Sequence, residues 1–136
     1  MLESSLSALN IPETHITEID KQYQKIKLTI EQVNACIIGG GSMEKLSPIF
    51  YSLVYIYDHY FTQEQITLAK YKFDKLETIK KVHRNFIDEV ISYQKKIENH
   101  QLDSCSQLAE FLNQWAVGYF NDNQIAVSFL KAKGVN

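Results

Sequence analysis

The chain has little of what interrupts or cross-links a polypeptide. Its 136 residues include only two prolines, five glycines and two cysteines. Scarce proline and glycine favour long helices, because these two residues are the least compatible with a helix interior. Cys36 and Cys105 have neither the spacing of a metal site nor the density of a disulfide framework. The sequence therefore does not describe a small domain held together by disulfides or zinc.

A strong excess of charge and long apolar runs are also absent. The formal net charge is −2, with the basic and acidic residues well mixed, so nothing indicates nucleic acid or an anionic membrane as an obligatory partner. No stretch approaches a membrane span, and residues 1–10 lack the basic start and apolar run of a signal peptide. We therefore expect one cytoplasmic domain over residues 1–136, with no nucleic acid and no membrane as partner.

Apolar residues recur at alternating steps of three and four along four segments of the chain, which predicts helices with one buried face. The first predicted helix follows Pro12 and Thr14, and it ends at the glycine triplet 39–41, where a helix does not easily continue. Its seam, meaning the row of residues expected on the buried face, comprises Ile16, Ile19, Tyr23, Ile26, Ile30, Val33 and Ile37.

The second predicted helix runs to about Lys70 and has the most unusual seam. It either begins at Ser42 and kinks at Pro48, or it begins later, near Ser47, because proline is poorly tolerated inside a helix. The seam is Leu46, Phe50, Leu53, Tyr57, Tyr60 and Glu64. Because Tyr60 and Glu64 are four residues apart, we expect both in the core. A buried carboxylate is costly unless it is paired, hydrogen-bonded or bound to a metal.

Two further helices complete the pattern. The third begins near Asp74, whose spacing to Glu77 resembles a capping box, and the fourth follows a polar turn over residues 99–106. Their seams are Leu76, Ile79, His83, Phe86, Val90, Tyr93 and Ile97, and then Leu108, Phe111, Leu112, Trp115 and Tyr119. Residues 121–123 interrupt the fourth helix before a short last one over residues 125–130. The sequence predicts an all-α, up-down-up-down antiparallel four-helix bundle over about residues 16–124, with that short extra C-terminal helix.

Four motifs resemble, in order and spacing, those of the hemerythrin family, which comprises the bacterial hemerythrins and the invertebrate oxygen carriers. Residues 19–25 resemble the Asp-x-x-His run of the family's first helix, and residues 60–65 the His-Phe-x-x-Glu motif of its second. Residues 79–87 resemble the His-x-x-x-His motif of the third helix, and residues 112–124 the Trp-x-x-x-His-x-x-x-x-Asp motif of the fourth. The resemblance implies the same bundle.

The same comparison shows which iron ligands are missing. The family holds two irons with five histidines and two bridging carboxylates, and dioxygen binds to one iron. At the matching positions this chain keeps only a carboxylate, Glu64, and an imidazole, His83. The departures are Tyr23, Tyr60, Tyr119 and Ile79 in place of histidines and Gln124 in place of the second carboxylate. His59 does not substitute for Tyr60, because one residue turns a side chain by roughly 100° on a helix.

The two retained ligands, Glu64 and His83, cannot hold two irons by themselves. At the other positions Ile79 offers no ligand atom and Gln124 offers only a neutral oxygen. We expect the site to be filled by its own side chains, with the three tyrosines, Glu64, His83 and Gln124 in one buried hydrogen-bonded network.

The leading hypothesis is therefore a degenerate hemerythrin-like protein without a di-iron centre or other cofactor, acting as a non-catalytic binding or regulatory module. Its partner is another protein or a second copy, and Tyr51 and Tyr55, on the outer face of the second helix, are the candidate contact surface. The alternative is a single-metal, iron–tyrosinate or oxygen-binding protein that uses Glu64, His83 and Tyr119. No arrangement typical of a classical enzyme is present.

Overall fold

All regular secondary structure that the computed structural model describes, over residues 11–39, 43–101 and 103–136, is helical. The helices are α1 (Thr17–Ile38), α2 (Met43–Tyr55), α3 (Thr62–Lys70), α4 (Leu76–Glu98), α5 (Asp103–Asp122) and α6 (Gln124–Ala132). A π-helical segment, Ile56–Phe61, joins α2 to α3. The prediction of an all-α chain is confirmed. Of these helices, none combines the length and the apolar character that crossing a membrane requires.

The start of α1 is held by Thr14 and Asp20. The backbone N–H and the hydroxyl of Thr14 donate to Asp20 Oδ1 at 2.8 and 2.7 Å, and the N–H of Ile16 donates to Thr14 Oγ1 at 3.1 Å. Burial raises the pKa of the Asp20 carboxyl, but the hydrogen bonds from Thr14 lower it by more than this. The pKa therefore lies below its ordinary value. The helix ends at Ile38, and the N–H of the following Gly39 donates to the Ala35 carbonyl.

The second predicted helix is present to Lys70, as the union of α2, the π segment and α3. It begins at Met43 and contains Pro48, so a start near Ser47 is wrong. Proline tolerates this position at the cost of one backbone hydrogen bond. The carbonyl of Pro48 accepts from the Ser52 hydroxyl at 3.3 Å. Ser42, the other predicted start, lies outside the described residues.

Two predicted helix starts need correction. No side-chain hydrogen bond caps α4, which begins at Leu76 after Lys75, so the predicted capping box of Asp74 and Glu77 is wrong. Glu77 instead lies 3.4 Å from Lys80 in an exposed ion pair. The last long helix, α5, begins at Asp103, within the stretch predicted as a turn. Polar residues at the start of a helix give no apolar periodicity, and so the first turn of α5, in which the polar Ser104 is buried, was not predicted.

In the core, α1 packs on α2 and α5, and α4 packs on α2 and α5. A buried pair of amides joins α1 to α5: Asn113 Nδ2 donates to Asn34 Oδ1 at 3.0 Å, and Asn34 Nδ2 donates to Asn113 Oδ1 at 3.4 Å. Further along the same two helices the rings of Tyr23 and Tyr119 meet, with 5.7 Å between their centroids. Residue numbers therefore rise along α1 as they fall along α5, which makes these two helices antiparallel.

Candidate functional site

Five buried side chains form a polar cluster in the core: Tyr23 of α1, Glu64 of α3, His83 of α4, Tyr119 of α5 and Asn123 after α5. Glu64 is 5% exposed and His83 is 0% exposed. The Tyr119 hydroxyl donates to Glu64 Oε2 at 2.6 Å, and His83 Nε2 lies 3.6 Å from the same oxygen. The predicted meeting of Tyr23, Glu64, His83 and Tyr119 is present in the structure.

The His83 ring is held from two sides. On one side the amide of Gln65 lies 2.8 Å from His83 Nδ1. On the other, the Phe61 ring stacks on the imidazole with 3.9 Å between centroids and 8° between planes. The contact with Gln65 and the stacked Phe61 ring fix the orientation of the imidazole, which points Nε2 towards Glu64. Sequence reasoning missed both Gln65 and Phe61 as neighbours of this histidine.

Asn123 occupies the place predicted for Gln124. Asn123 Nδ2 donates to the Tyr23 hydroxyl at 2.6 Å, and the rings of Tyr23 and Tyr119 meet edge to face at 5.7 Å. Gln124 is exposed, and its side-chain amide donates to the Phe120 carbonyl at 3.4 Å. The prediction that Gln124 joins the buried network is therefore wrong. The prediction came from the spacing of the family's motif, whereas here α5 ends at Asp122 and α6 begins at Gln124, so that Asn123 lies between the two helices.

The π segment explains a second departure, at Tyr60. This tyrosine is half-buried, and its ring packs edge to face on Tyr55 at 5.4 Å. Phe61 is fully buried beside His83 instead. A π turn contains about one residue more than an α turn, so the segment shifts the helical phase between Leu53 and Glu64. The prediction that Tyr60 lies in the buried network is wrong. His59 is exposed and stacks on Tyr55 at 3.9 Å.

A cavity of about 420 Å³ adjoins the polar cluster. His83, Tyr119 and Asn123 form its floor, because these residues are buried, and Ile79 is one of its half-buried walls. Ile79 therefore contributes apolar surface, as its side chain requires. The remaining lining residues are Lys75, Thr78, Val82, Asp122 and Ile125.

Several buried polar atoms of the cluster are left without a hydrogen bond among the described residues. These atoms are Glu64 Oε1, His83 Nε2, Asn123 Oδ1 and the nearby indole Nε1 of Trp115. Trp115 stacks on Tyr119 with 4.7 Å between ring centroids. Buried polar atoms of native proteins nearly always have a partner, so these four are the atoms of the region whose hydrogen-bonding capacity is unused.

The two buried phenols are held in the protonated form. Burial and the neighbouring Glu64 carboxylate raise the pKa of Tyr119 well above its ordinary value. Burial also raises the pKa of Tyr23, although the hydrogen bond from Asn123 opposes this shift. Both phenols therefore keep their protons at neutral pH and act as hydrogen-bonding groups.

The residues do not fit a di-iron centre. In the described part of the chain, no group of three or more His, Cys, Asp or Glu side chains is placed to hold a metal ion. Glu64 and His83 supply one carboxylate and one imidazole, while Ile79 supplies no ligand atom. Tyr60 and Gln124 lie outside the cluster. Two iron ions need several anionic and imidazole ligands to replace their water, and the cluster does not contain them.

A second feature lies on the outside, where Tyr60 meets the predicted contact residues. Tyr51 is 78% exposed, and Tyr55 and Leu28 are also exposed. With their neighbours they line a groove of about 410 Å³ between α1 and α2, here called the aromatic groove: Lys25, Leu28, Thr29, Gln32, Tyr51, Ser52, Tyr55 and Tyr60. The structure thus places Tyr51 and Tyr55 on an exposed surface, as predicted.

No protein-family model, no curated protein and no solved structure matches this chain. The resemblance to the hemerythrins therefore rests on the four sequence motifs alone and stays a prediction. The structure itself defines a helical protein with a buried polar cluster, an adjoining cavity and an exposed aromatic groove.

Proposed function

We propose that this protein is a non-catalytic binding module of hemerythrin-like ancestry. In this proposal the helices form an up-down-up-down four-helix bundle without a di-iron centre, and the aromatic groove binds a protein partner. One observation carries it: at the π segment Phe61 turns into the core and Tyr60 turns out towards the groove. The same local change fills the interior next to His83 and adds an aromatic ring to the exterior.

The interior supports the absence of a di-iron centre. Phe61 covers one face of the His83 ring, and the Tyr119 hydroxyl donates a hydrogen bond to Glu64 Oε2. A metal that bound there would have to displace this short hydrogen bond and would find few ligands. Elemental analysis of protein made in iron-rich medium tests the point. We expect substoichiometric iron and no visible absorption, and one or two irons per chain would overturn this part of the proposal.

The aromatic groove supports a protein partner. Tyrosine is enriched at protein interfaces, because its ring buries a large area at low entropic cost while its hydroxyl remains able to hydrogen-bond. Lys25 lies at the edge of the same groove and is exposed. The matching occupant is an amphipathic segment that places an apolar side chain between Leu28 and Tyr51 and a carboxylate near Lys25.

Paired variants test the groove. Tyr51→Ser together with Leu28→Ser removes its two most exposed apolar side chains, while Val117→Ser removes an exposed valine of α5 that does not line the groove. Sedimentation of the purified protein first decides whether the partner is a second copy. We expect association, with itself or with a purified partner, to weaken at least tenfold in the double variant and to persist in Val117→Ser. Equal binding by both variants would overturn the groove as the contact surface.

A second candidate function keeps one metal ion. It is favoured by the unpartnered Glu64 Oε1 and His83 Nε2, with Nε2 3.6 Å from the other carboxylate oxygen, and by Gln65, which is placed to orient the imidazole. Glu64, His83 and Tyr119 would hold the ion, and iron would supply redox or oxygen-binding chemistry. The raised pKa of Tyr119 opposes formation of a tyrosinate.

Iron loading separates this second candidate from the first. A phenolate-to-iron absorption band that is lost in Tyr119→Phe and kept in Tyr93→Phe would establish the single-metal site. Tyr93 is a suitable control because it is half-buried and lies outside the polar cluster. Absence of the band after loading, with no iron retained, would eliminate the single-metal candidate.

A further inference from the structure

The cavity beside the polar cluster has apolar walls and a charged rim. It opens between the first part of α4 and the junction of α5 with α6. Its apolar walls include Ile79, Val82 and Ile125. A concave, mostly apolar surface with a few polar groups is the usual form of a small-molecule site. The polar groups that a ligand can reach then decide which ligand fits.

The polar atoms of the floor do not select the charge of a ligand. His83 Nε2 and Asn123 Oδ1 have no hydrogen bond among the described residues, but both atoms are covered by their neighbours. His83 Nε2 faces the Glu64 carboxylate, with 3.6 Å to Oε2. An imidazole nitrogen donates or accepts according to its tautomer, and an amide according to its orientation. Selection therefore falls to the accessible groups at the rim.

The rim carries one cation and one anion. Lys75 directly precedes α4 and Asp122 is the last residue of α5, and both are exposed and line the cavity. Neither forms an ion pair with another residue in the part of the chain that the structure describes. A ligand with one charge would be attracted by one of the two residues and repelled by the other. A ligand with both charges would be attracted by both.

The start of α4 indicates where each charge of such a ligand lies. No side-chain hydrogen bond caps α4, so the N–H groups of its first turn add a partial positive charge to that of Lys75. A carboxylate is therefore favoured at the α4 side of the rim. An ammonium group is favoured at the α5 side, where Asp122 supplies the negative charge.

We propose that this cavity binds a free amino acid with an apolar side chain. Its carboxylate pairs with Lys75, its ammonium group pairs with Asp122, and its side chain lies against Ile79, Val82 and Ile125. The proposal does not depend on the aromatic groove or on its partner, because the two sites share no lining residue.

Three probes with the same apolar body and different charges test the proposal: L-phenylalanine, 3-phenylpropionate and 2-phenylethylamine. Their dissociation constants are measured by NMR titration, with the backbone amide signals of Thr78, Val82 and Ile125 as reporters. Because an exposed ion pair contributes only modestly, we expect each singly charged probe to bind about threefold or more weakly than L-phenylalanine. Equal or tighter binding of either one, or no saturable shift for L-phenylalanine at about 10 mM, on the order of the weakest fragment affinities, would overturn the proposal.

Charge variants assign each head group to its residue. Lys75→Met and Asp122→Asn each remove one charge of the rim, whereas Lys95→Met and Asp88→Asn make the same changes at exposed positions of α4 that do not line the cavity. We expect Lys75→Met to lose the preference for L-phenylalanine over 2-phenylethylamine, and Asp122→Asn to lose that over 3-phenylpropionate. The two control variants should keep both preferences. Preferences that neither rim variant changes would contradict the assigned pairing.

Two further variants locate the apolar body of the ligand. Thr78→Trp fills the cavity from an exposed position on its rim, and Ser106→Trp adds the same ring at an exposed position near the start of α5, which does not line the cavity. We expect Thr78→Trp to weaken the binding of L-phenylalanine at least tenfold and Ser106→Trp to leave it unchanged. Equal binding by the two variants would contradict the assigned site.

Discussion

Tyr119 and Glu64 are joined by a short hydrogen bond of 2.6 Å from the phenol to Oε2. Both side chains are buried, and they come from α5 and α3, which are 55 residues apart at this point. The Tyr119 hydroxyl donates the hydrogen bond that the Glu64 carboxylate would receive from water if it were exposed. This hydrogen bond therefore makes a buried Glu64 tolerable.

Removal of the Tyr119 hydroxyl should be costly. Tyr119→Phe keeps the ring but leaves Glu64 Oε2 with only His83 nearby, so we expect the free energy of unfolding to fall by about 1–3 kcal/mol. Urea denaturation of Tyr119→Phe, with Tyr93→Phe as control, measures the loss. Glu64→Gln completes a double-mutant cycle, and a coupling free energy near zero between positions 64 and 119 would show that the hydrogen bond contributes nothing.

The protonated phenols predict a loss of stability at alkaline pH. The pKa values of Tyr23 and Tyr119 are raised in the folded chain. A tyrosine in the unfolded chain has a pKa of about 10. Below that pH both states keep their protons, so stability is unaffected. Above it the unfolded chain loses its protons first, and stability falls by up to about 1.4 kcal/mol per pH unit for each phenol.

Urea denaturation at several pH values between about 8 and 11 measures this decline against the tyrosine pKa of about 10. The Tyr23→Phe and Tyr119→Phe double variant should show a flatter decline than the parent chain, because the shifted phenols are gone. All other titratable groups are common to both proteins, so the difference between the two slopes reports the two phenols. Identical slopes would disprove the assignment.

The π segment predicts an unusual order of substitution costs at two adjacent positions. Phe61→Ala should destabilise the protein by about 3–5 kcal/mol, because it opens a cavity against His83. Tyr60→Ala should cost about 1 kcal/mol, because Tyr60 is half-buried at the groove. Thermal and urea unfolding of the two variants compare them directly. An unbroken α-helix with Tyr60 in the core would give the reverse order.

The amide pair of Asn34 and Asn113 predicts non-additive substitutions. Asn34→Leu or Asn113→Leu alone leaves a buried amide without its partner and should cost about 1–3 kcal/mol. The double substitution removes both polar groups and should cost less than the sum of the single ones. Urea denaturation of the four proteins gives the coupling free energy. Additive costs would mean that the two amides act independently.

The helices and most of their buried faces could be predicted from the sequence, because one helical period extends over several turns. The buried residues Ile26, Ile30 and Val33 follow the predicted seam of α1, and His83 and Val90 follow that of α4. These faces are long and carry polar residues opposite, so their phase is unambiguous. The same regularity brought Tyr23, His83 and Tyr119 to the core as predicted.

The helical phase around Tyr60 was predicted wrongly, because five of the seven residues 55–61 are apolar or aromatic and the segment offers several possible buried positions. Helical spacing continued from Leu53 points to Tyr57 and Tyr60, yet the buried residues are Ile56 and Phe61. These two are five residues apart, a spacing that fits a π turn and not an α turn. The five-residue spacing of Ile56 and Phe61 was therefore the sequence signal that could have predicted the π segment.

The buried hydrogen bonds of asparagine side chains could not be predicted from the helical periodicity of the sequence either. Asn34 and Asn113 contact each other across two helices 79 residues apart in sequence, and nothing local distinguishes either from a solvated asparagine. Asn123 took the role predicted for Gln124 because α5 ends one residue before it. In both cases tertiary contacts, absent from any single helix, decide which amide is buried.

The extra residue in the π segment also makes the second helical stretch unusually tolerant of a deletion. Loss of one residue between positions 56 and 61 would turn the segment into ordinary α-helix while leaving Leu53 and Glu64 on the buried face. The same deletion in α4 would rotate half of that helix by roughly 100° and bring polar residues into the core. The chain therefore holds, beside its polar cluster, a site where its length can change by one residue without loss of the fold.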